Sequence, residues 1–358
     1  NLVKYNIPII NMICGNLFVL LQEEFVFNIH HILHHYTQDY ISENWIMEMY
    51  DYSKDFTSLL TNKPSTIIPY TWNSDILDTY VENNGILQTH IDKCNDKVNL
   101  LIFEPNMSIH KNALIAILIA NAYYIKNRDT LKKIYVFCGD KVFVEGNNAF
   151  IKQLEIYKDN KIESYGRIVM PYIVDVINKN NNFLNITISY NLLNNLNFLH
   201  LEMFRLGIPI IHNCEKFKDN GMYYSDINQL EAISIIENVQ KNFKKEKYIE
   251  TCKNILSEFS YDNPERIEKY KNIVDKMCVR KSNPINTSVE ILPIKRFKCG
   301  EGLVFFVKTL VDREYIMNNL DNRLLLIKNI ELIYNEEIPI IVFPFNPSVN
   351  IHHTMISS

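Results

Sequence analysis

The sequence predicts an α/β protein in which parallel sheets are covered by helices, and three observations lead there. Short apolar runs, such as residues 7–12 and 99–103, alternate with stretches of helical period. The spacing between successive runs leaves room for one helix, which is how parallel strands are joined. The 358 residues are 47% hydrophobic and 22% charged, a globular balance with room for two or three domains.

Taken in order, residues 8–14 read as a buried strand closed by Gly15-Asn16, and a helix is expected over 17–36. A second helix is expected over 43–60, then a strand over 66–70. This first part, 1–97, enters a strand pattern almost at once and does not begin with methionine, so it reads as a truncated domain. Residues 98–243 alternate more clearly. Strands are expected at 99–103, 133–138, 162–168, 183–189 and 208–212, with helices over 111–125, 147–157, 170–177, 195–206 and 226–242. Gly207 follows its helix at the usual left-handed stop. Residues 244–280 read as charged helices broken at Asp262-Asn263-Pro264 and packing back across the domains. After a linker, 287–358 reads as the start of a further α/β domain, with strands at 302–309 and 338–343 around a helix over 312–334.

Net charge is -4, so the chain lacks the basic excess from which nucleic-acid binders gain counterion release. The cluster at 241–247 is broken by Glu246 and reads as a solvated helix face. Seven cysteines with no CxxC pair point to free thiols in a reducing compartment. The longest apolar stretch, 113–120, falls short of the about 20 residues a membrane span takes. No signal peptide is visible. The expected location is the cytoplasm, or the host cytoplasm for a viral chain, so the sequons at Asn106, Asn185 and Asn286 carry no meaning. Abundant asparagine beside only 9 glycines reads as a genome bias.

The most informative segment is 199–213, LHLEMFRLGIPIIHN. Glu202 stands one helix-length before a Gly-x-Pro strand. A carboxylate there can accept both hydroxyls of a ribose, while Gly207 turns the chain tightly into the strand. His212 and Asn213 then emerge at the carboxyl end of that strand, as Tyr190 does from the strand before it. Ligands of doubly wound sheets bind at such ends. Lys111 falls at a helix N-terminus, where a cation opposes the helix dipole and a bound anion makes sense of it. The plain alternatives are a surface glutamate on a capped helix, an exposed lysine and a structural turn.

These residues resemble the GT-B glycosyltransferases. Glu202, Gly207 and Pro209 fall on the Glu-Ala-x-x-x-Gly-x-Pro-Val stretch of that superfamily. Lys111 matches a lysine that follows a Gly-Arg pair, with Asn106 standing where the arginine would be; both basic groups contact the donor diphosphate there. Asn194 stands where many retaining members carry the first of two glutamates. Glu104 to Asn106, Asn194 to Glu202, Gly207 to Asn213 and Gly221 to Tyr224 look like a little-characterised GT-B-like family known mainly from bacteria. Cys14-Gly15-Asn16, Trp45 and Pro69-x-x-Trp72 fit the same pattern, and the resemblance covers residues 5–275.

The resemblance implies twin Rossmann-like domains, the N-terminal one truncated here, and transfer of a sugar from a nucleotide-activated donor. Donor contacts are then expected from Glu104, Asn106, Lys111, Tyr190, Asn194, Glu202, Gly207, His212 and Asn213. Gly15, Asn16 and Trp72 are expected in the cleft of the N-terminal domain. His30, His31, His34 and His35 pair four residues apart along a helix. A metal shared with Glu23 or Glu24 lacks any HExxH pattern, and ordinary helix surface is the plain reading. A catalytic role is expected of His30 or His34, because the resembled fold opens this helix toward the cleft. No metal and no cofactor is expected, the nucleotide sugar being a substrate and the acceptor a glycan, a protein or a small molecule. One rival is a degenerate GT-B module of a larger viral or multidomain protein, favoured by the missing Gly-Arg pair and first glutamate. A nicotinamide-dependent oxidoreductase would need a GxGxxG turn, and none is present.

Overall fold

The computed structural model describes residues 8–28, 41–84, 97–143, 149–167, 173, 175–177, 183–220, 222–279, 304–305 and 341–345. Its strands are β1 (Ile9–Ile13), β2 (Ile41–Met47), β3 (Ser65–Ile68), β4 (Val98–Ile102), β5 (Leu131–Val136), β6 (Ile162–Ser164), β7 (Leu184–Ile188), β8 (Ile210–Ile211), β9 (Val304–Phe305) and β10 (Ile341–Phe345). The helices that matter below are α1 (Leu17–Phe27), α2 (Lys54–Thr61), α3 (Asp75–Asn84), α4 (Leu114–Lys126), α5 (Asp140–Phe143), α6 (Glu155–Lys158), α7 (Phe198–Leu206), α8 (Glu231–Asn242), α9 (Lys245–Phe259) and α10 (Pro264–Val279). Contacts divide the chain into a first unit, residues 1–70 with 264–358, and a second unit, residues 71–263. Each holds a five-stranded sheet, so the α/β class read from the alternation is the observed one. None of the described helices is long and apolar enough to cross a membrane.

In the first unit the strand order is β3-β2-β1-β10-β9, parallel except where β9 meets β10. The helix expected over 43–60 is instead strand β2, a 3₁₀ segment (Glu48–Ser53) and the short helix α2. Polar residues inside ISENWIM hid the strand. They are tolerated there because each finds a partner. Asn44 accepts from Asn11 Nδ2 across the β1–β2 register at 3.0 Å and donates to Thr61 Oγ1 at 2.8 Å. Glu43 accepts from the Thr66 hydroxyl of β3. Helix α1 stops at Phe27, with Asn28 left-handed at φ 54°; the rest of the expected 17–36 helix lies outside the described residues, as does the helix expected over 312–334.

Helix α10 closes this unit. Its Met277 enters the core of Ile10, Trp45 and Ile68, flanked by Tyr270, Ile273 and Val274. Arg266, 5% exposed, donates from Nη1 to Glu48 Oε1 at 2.7 Å and to the Tyr70 carbonyl at 2.5 Å. Strand β10, which the sequence grouped with a further domain, hydrogen-bonds in parallel to β1.

In the second unit all strands are parallel, in the order β6-β5-β4-β7-β8. Counted along this unit the order is 3-2-1-4-5, so it reverses between β4 and β7. The core is β4, wholly buried, against the apolar face of α4 with Ala116, Ile117, Ala120 and Tyr123. Tyr123 donates to Gln240 Oε1 of α8 at 2.9 Å, and Tyr248 of α9 to the Ile208 carbonyl at 3.1 Å. Asn99 Nδ2 donates to Asn185 Oδ1 across the β4–β7 register at 3.0 Å. The Asn185 sequon is therefore spent inside the sheet. Residues 71–84 were grouped with the first part by sequence but make their contacts here: Asp78 of α3 pairs with Arg205 at 2.8 Å, and Trp72 N–H donates to the Phe259 carbonyl at 2.8 Å.

Candidate active site

The carboxyl edge of the second sheet gathers polar groups from the loops that follow β4, β7 and β8. The loop after β4 is fixed first by Asn106, left-handed at φ 53°, a conformation asparagine tolerates better than most residues. Its Nδ2 donates to the carbonyls of Glu104 at 3.0 Å and Cys138 at 3.1 Å, and its Oδ1 accepts from Ala113 N–H at 2.8 Å. One amide thus ties the strand end, the neighbouring strand β5 and the start of α4. Asn112 Oδ1 takes the next helix N–H, that of Leu114, at 3.1 Å. Two donors that an anion at this helix start would use are already occupied.

Glu104 lies at the centre, 1% exposed. Its Oε1 accepts from Ser189 Oγ at 2.9 Å and from Tyr190 N–H at 3.1 Å, both on the loop after β7. Burial raises its carboxyl from 4.5 to about 7, against the Ser189 and Tyr190 hydrogen bonds and the charge of Lys111. Burial likewise holds the Lys111 ammonium below the usual lysine range, with Glu104 opposing. Their charges act on one another, yet they form no ion pair of 4 Å or less among the described residues.

Around this pair runs a chain of amides. Asn191 Nδ2 donates to Ser189 Oγ at 2.8 Å, and Asn191 N–H to Asn213 Oδ1 at 2.8 Å. Asn213 Nδ2 donates in return to the Asn191 carbonyl at 2.8 Å and to Asp226 Oδ1 at 2.6 Å. Asn191 Oδ1 accepts from Asn194 at 3.3 Å and Asn197 at 3.1 Å. Asn194 is 3% exposed, and its own Oδ1 is buried without a hydrogen bond.

Helix α7 starts from Asn197, in a capping box closed by His200 Nδ1 accepting from Asn197 N–H at 3.3 Å. His212 Nδ1 accepts from Cys214 N–H at 3.2 Å. Each ring, when neutral, therefore carries its proton on Nε2. The two rings stand 5.3 Å apart, edge to face and fully buried. Burial, then His212, drives His200 well below 6.5, and its Nε2 has no hydrogen-bond partner. Tyr224, also buried, donates to the Ser189 carbonyl at 2.9 Å and so belongs to the core.

The structure thus brings Glu104, Asn106, Lys111, Tyr190, Asn194, His212 and Asn213 to one edge. Glu202 sits half-buried in the second turn of α7. Gly207 is its left-handed cap at φ 68°, donating to the Met203 and Phe204 carbonyls. The sequence reading missed Ser189, His200 and Asp226. Only His200 left a signal, three residues beyond a capping asparagine. Of the N-terminal residues, Asn16 is buried as the cap of α1, accepting from Val19 N–H at 3.2 Å, and the Gly15 carbonyl accepts from Leu17 N–H. Trp72 belongs to the second unit, bridged to Ser260. His30 and His34 lie outside the described residues. Among the described residues no three His, Cys, Asp or Glu side chains are placed to hold a metal ion.

No curated protein matches the chain. Among solved structures, the chain is similar to α,α-trehalose 6-phosphate synthase from Burkholderia multivorans at 8% identity and a TM-score of 0.44, over 67% of this chain and 60% of that one. It is similar to Anabaena HepE in complex with UDP-glucose at 12% identity and a TM-score of 0.45, over 76% and 72%. A glycosyltransferase from Rickettsia africae matches at 15% identity and a TM-score of 0.45, over 78% and 79%. The chain therefore spans 60% of the length of the trehalose 6-phosphate synthase. The family model described as Protein of unknown function (DUF2827) matches residues 2–274. With most of its 358 residues inside that match, the chain belongs to the DUF2827 family.

Proposed function

We propose that this protein is a glycosyltransferase whose second unit holds a nucleotide-activated sugar at the carboxyl edge of its sheet. The observation that carries the reading is the convergence of Glu104 and Lys111 with Ser189, Tyr190 and Asn191 where the strand order reverses between β4 and β7. That reversal opens the crevice in which doubly wound sheets bind nucleotides. The sequence resemblance to GT-B enzymes, through Glu202, Gly207 and Pro209, supports the same assignment.

In this reading Glu202 accepts the ribose hydroxyls and Lys111 faces the diphosphate, stabilising charge on the leaving phosphate. Asn194 offers a carbonyl to a sugar hydroxyl. Asn106 and Gly207 act by shape, one bracing the loop after β4 and the other ending α7. The acceptor is assigned to the first unit and is a glycan, a protein or a small molecule. An inverting reaction needs a general base there, for which His30 and His34 are our candidates. The protein works without a metal or cofactor, in the cytoplasm.

The test is thermal denaturation of the protein against a panel of nucleotide sugars and free nucleotides, beside Glu202→Ala. A selective upward shift that the variant loses supports the reading. A folded wild type that responds to none of them overturns it in favour of a non-catalytic module.

A further inference from the structure

Glu104 is an unusual neighbour for a phosphate. It is a carboxyl group in the interior of a site assigned to a diphosphate, and the charge acting on it from the described residues is that of Lys111. Three backbone donors and a hydroxyl bind either Oε1 of Glu104 or the asparagines beside it, leaving Lys111 as the principal charge for an incoming anion. A phosphoryl group at Lys111 would take that cation as its own partner and add like charge beside Glu104. Two such anions cannot both stay ionised in a buried site.

We propose that a phosphoryl ligand binds at Lys111 together with one proton, which Glu104 takes up from solvent. The inference rests on the nucleotide-binding reading above. Oε1 keeps its hydrogen bonds from Ser189 and Tyr190, so the proton goes to Oε2. The carboxylate becomes a neutral carboxyl, and its O–H turns from a repelling group into a donor for a phosphate oxygen. The proton comes from water or buffer, and no other bond changes.

Of the groups facing Glu104, burial lowers Lys111 on the same loop with Glu104 opposing, so Lys111 is the other group able to take up a proton. Cys138 beyond β5 and Tyr224 beyond β8 are both raised by burial, as is the Tyr190 phenol, so all three remain neutral. Asp226 reaches the site through Asn213. His200, whose charge Lys111 also opposes, is already neutral.

Isothermal titration of the full chain with UDP and GDP, in buffers of different ionisation heat, counts the protons exchanged. Binding at pH 8 takes up about 0.9 proton and at pH 6 about 0.1, and the Kd weakens toward tenfold per pH unit above about 7. A phosphate beside a cation can only release protons, and any uptake by Lys111 itself persists in Glu104→Gln, so the variant assigns the wild-type uptake to Glu104. Glu104→Gln binds with no uptake and with a Kd that no longer follows this slope. Binding by the wild type without uptake at pH 8, or uptake unchanged in a folded Glu104→Gln, overturns the inference and leaves the nucleotide reading standing. If the folded wild type binds neither nucleotide, the nucleotide reading fails and the inference falls with it.

Discussion

Glu104→Gln should stabilise the unliganded protein at neutral and alkaline pH. The carboxyl titrates at about 7 in the folded chain and 4.5 when exposed. Below 4.5 both states hold the proton, and the charge costs nothing. Between 4.5 and 7 the unfolded chain has lost its proton while the folded chain keeps it, so stability falls as pH rises. Above 7 the penalty is complete, and the 2.5 units correspond to about 3 kcal/mol. Glutamine carries no charge at any of these values, and its carbonyl can still accept from Ser189 and Tyr190. The gap between variant and wild type should therefore open from near zero at pH 4.5 to about 3 kcal/mol at pH 8. Urea unfolding followed by circular dichroism across that range measures it. A gap that is constant with pH, or that closes as pH rises, refutes the claim that the Ser189 and Tyr190 hydrogen bonds and Lys111 only partly offset the burial of this carboxylate.

Other outcomes follow from the same geometry. His200 is neutral when folded and takes a proton when unfolded, so stability should fall as pH drops below 6.5, by up to about 1.4 kcal/mol per unit. His200→Phe should flatten that slope in the same unfolding series. Arg266→Met removes the Nη1 donor shared by Glu48 and the Tyr70 carbonyl, while the part-exposed Glu48 keeps the Tyr70 N–H, and should cost about 1–2 kcal/mol, read as a lower urea midpoint. Gly207→Ala places a Cβ on a residue at φ 68° and should lower stability by about 1 kcal/mol while the fold is kept. Asn197→Ala removes the side-chain cap of α7 and should cost about 1 kcal/mol, while the backbone N–H that sets the His200 tautomer stays, so the His200 ring resonances keep their Nε2-protonated pattern.

The second unit was legible because its strands are apolar and its helices carry a clean period. NLLIF, KIYVFC and the Gly207 stop each announced one element, and hydrophobic patterning is local information. β2 was not legible, because Asn44 and Glu43 look like solvent-facing residues until Asn11, Thr61 and Thr66 supply their partners. The same holds at the site. Element ends pointed to Asn213 after its strand and to Lys111 at a helix start, and the family resemblance to Glu104 and Asn106, but neither pointed to Ser189, His200 or Asp226, nor to the three backbone groups on which the Asn106 amide is used.

By itself, then, the sequence determined the α/β class, the run of elements through the second unit and where its strands end. All of these depend on residues close together along the chain. Only the tertiary structure decided the strand order, and with it the reversal between β4 and β7 that sets Glu104 against Ser189, 85 residues away. It alone also fixed the burial that moves the Glu104 carboxyl to about 7. Desolvation and partner choice belong to the packed interior, and no stretch of sequence carries them.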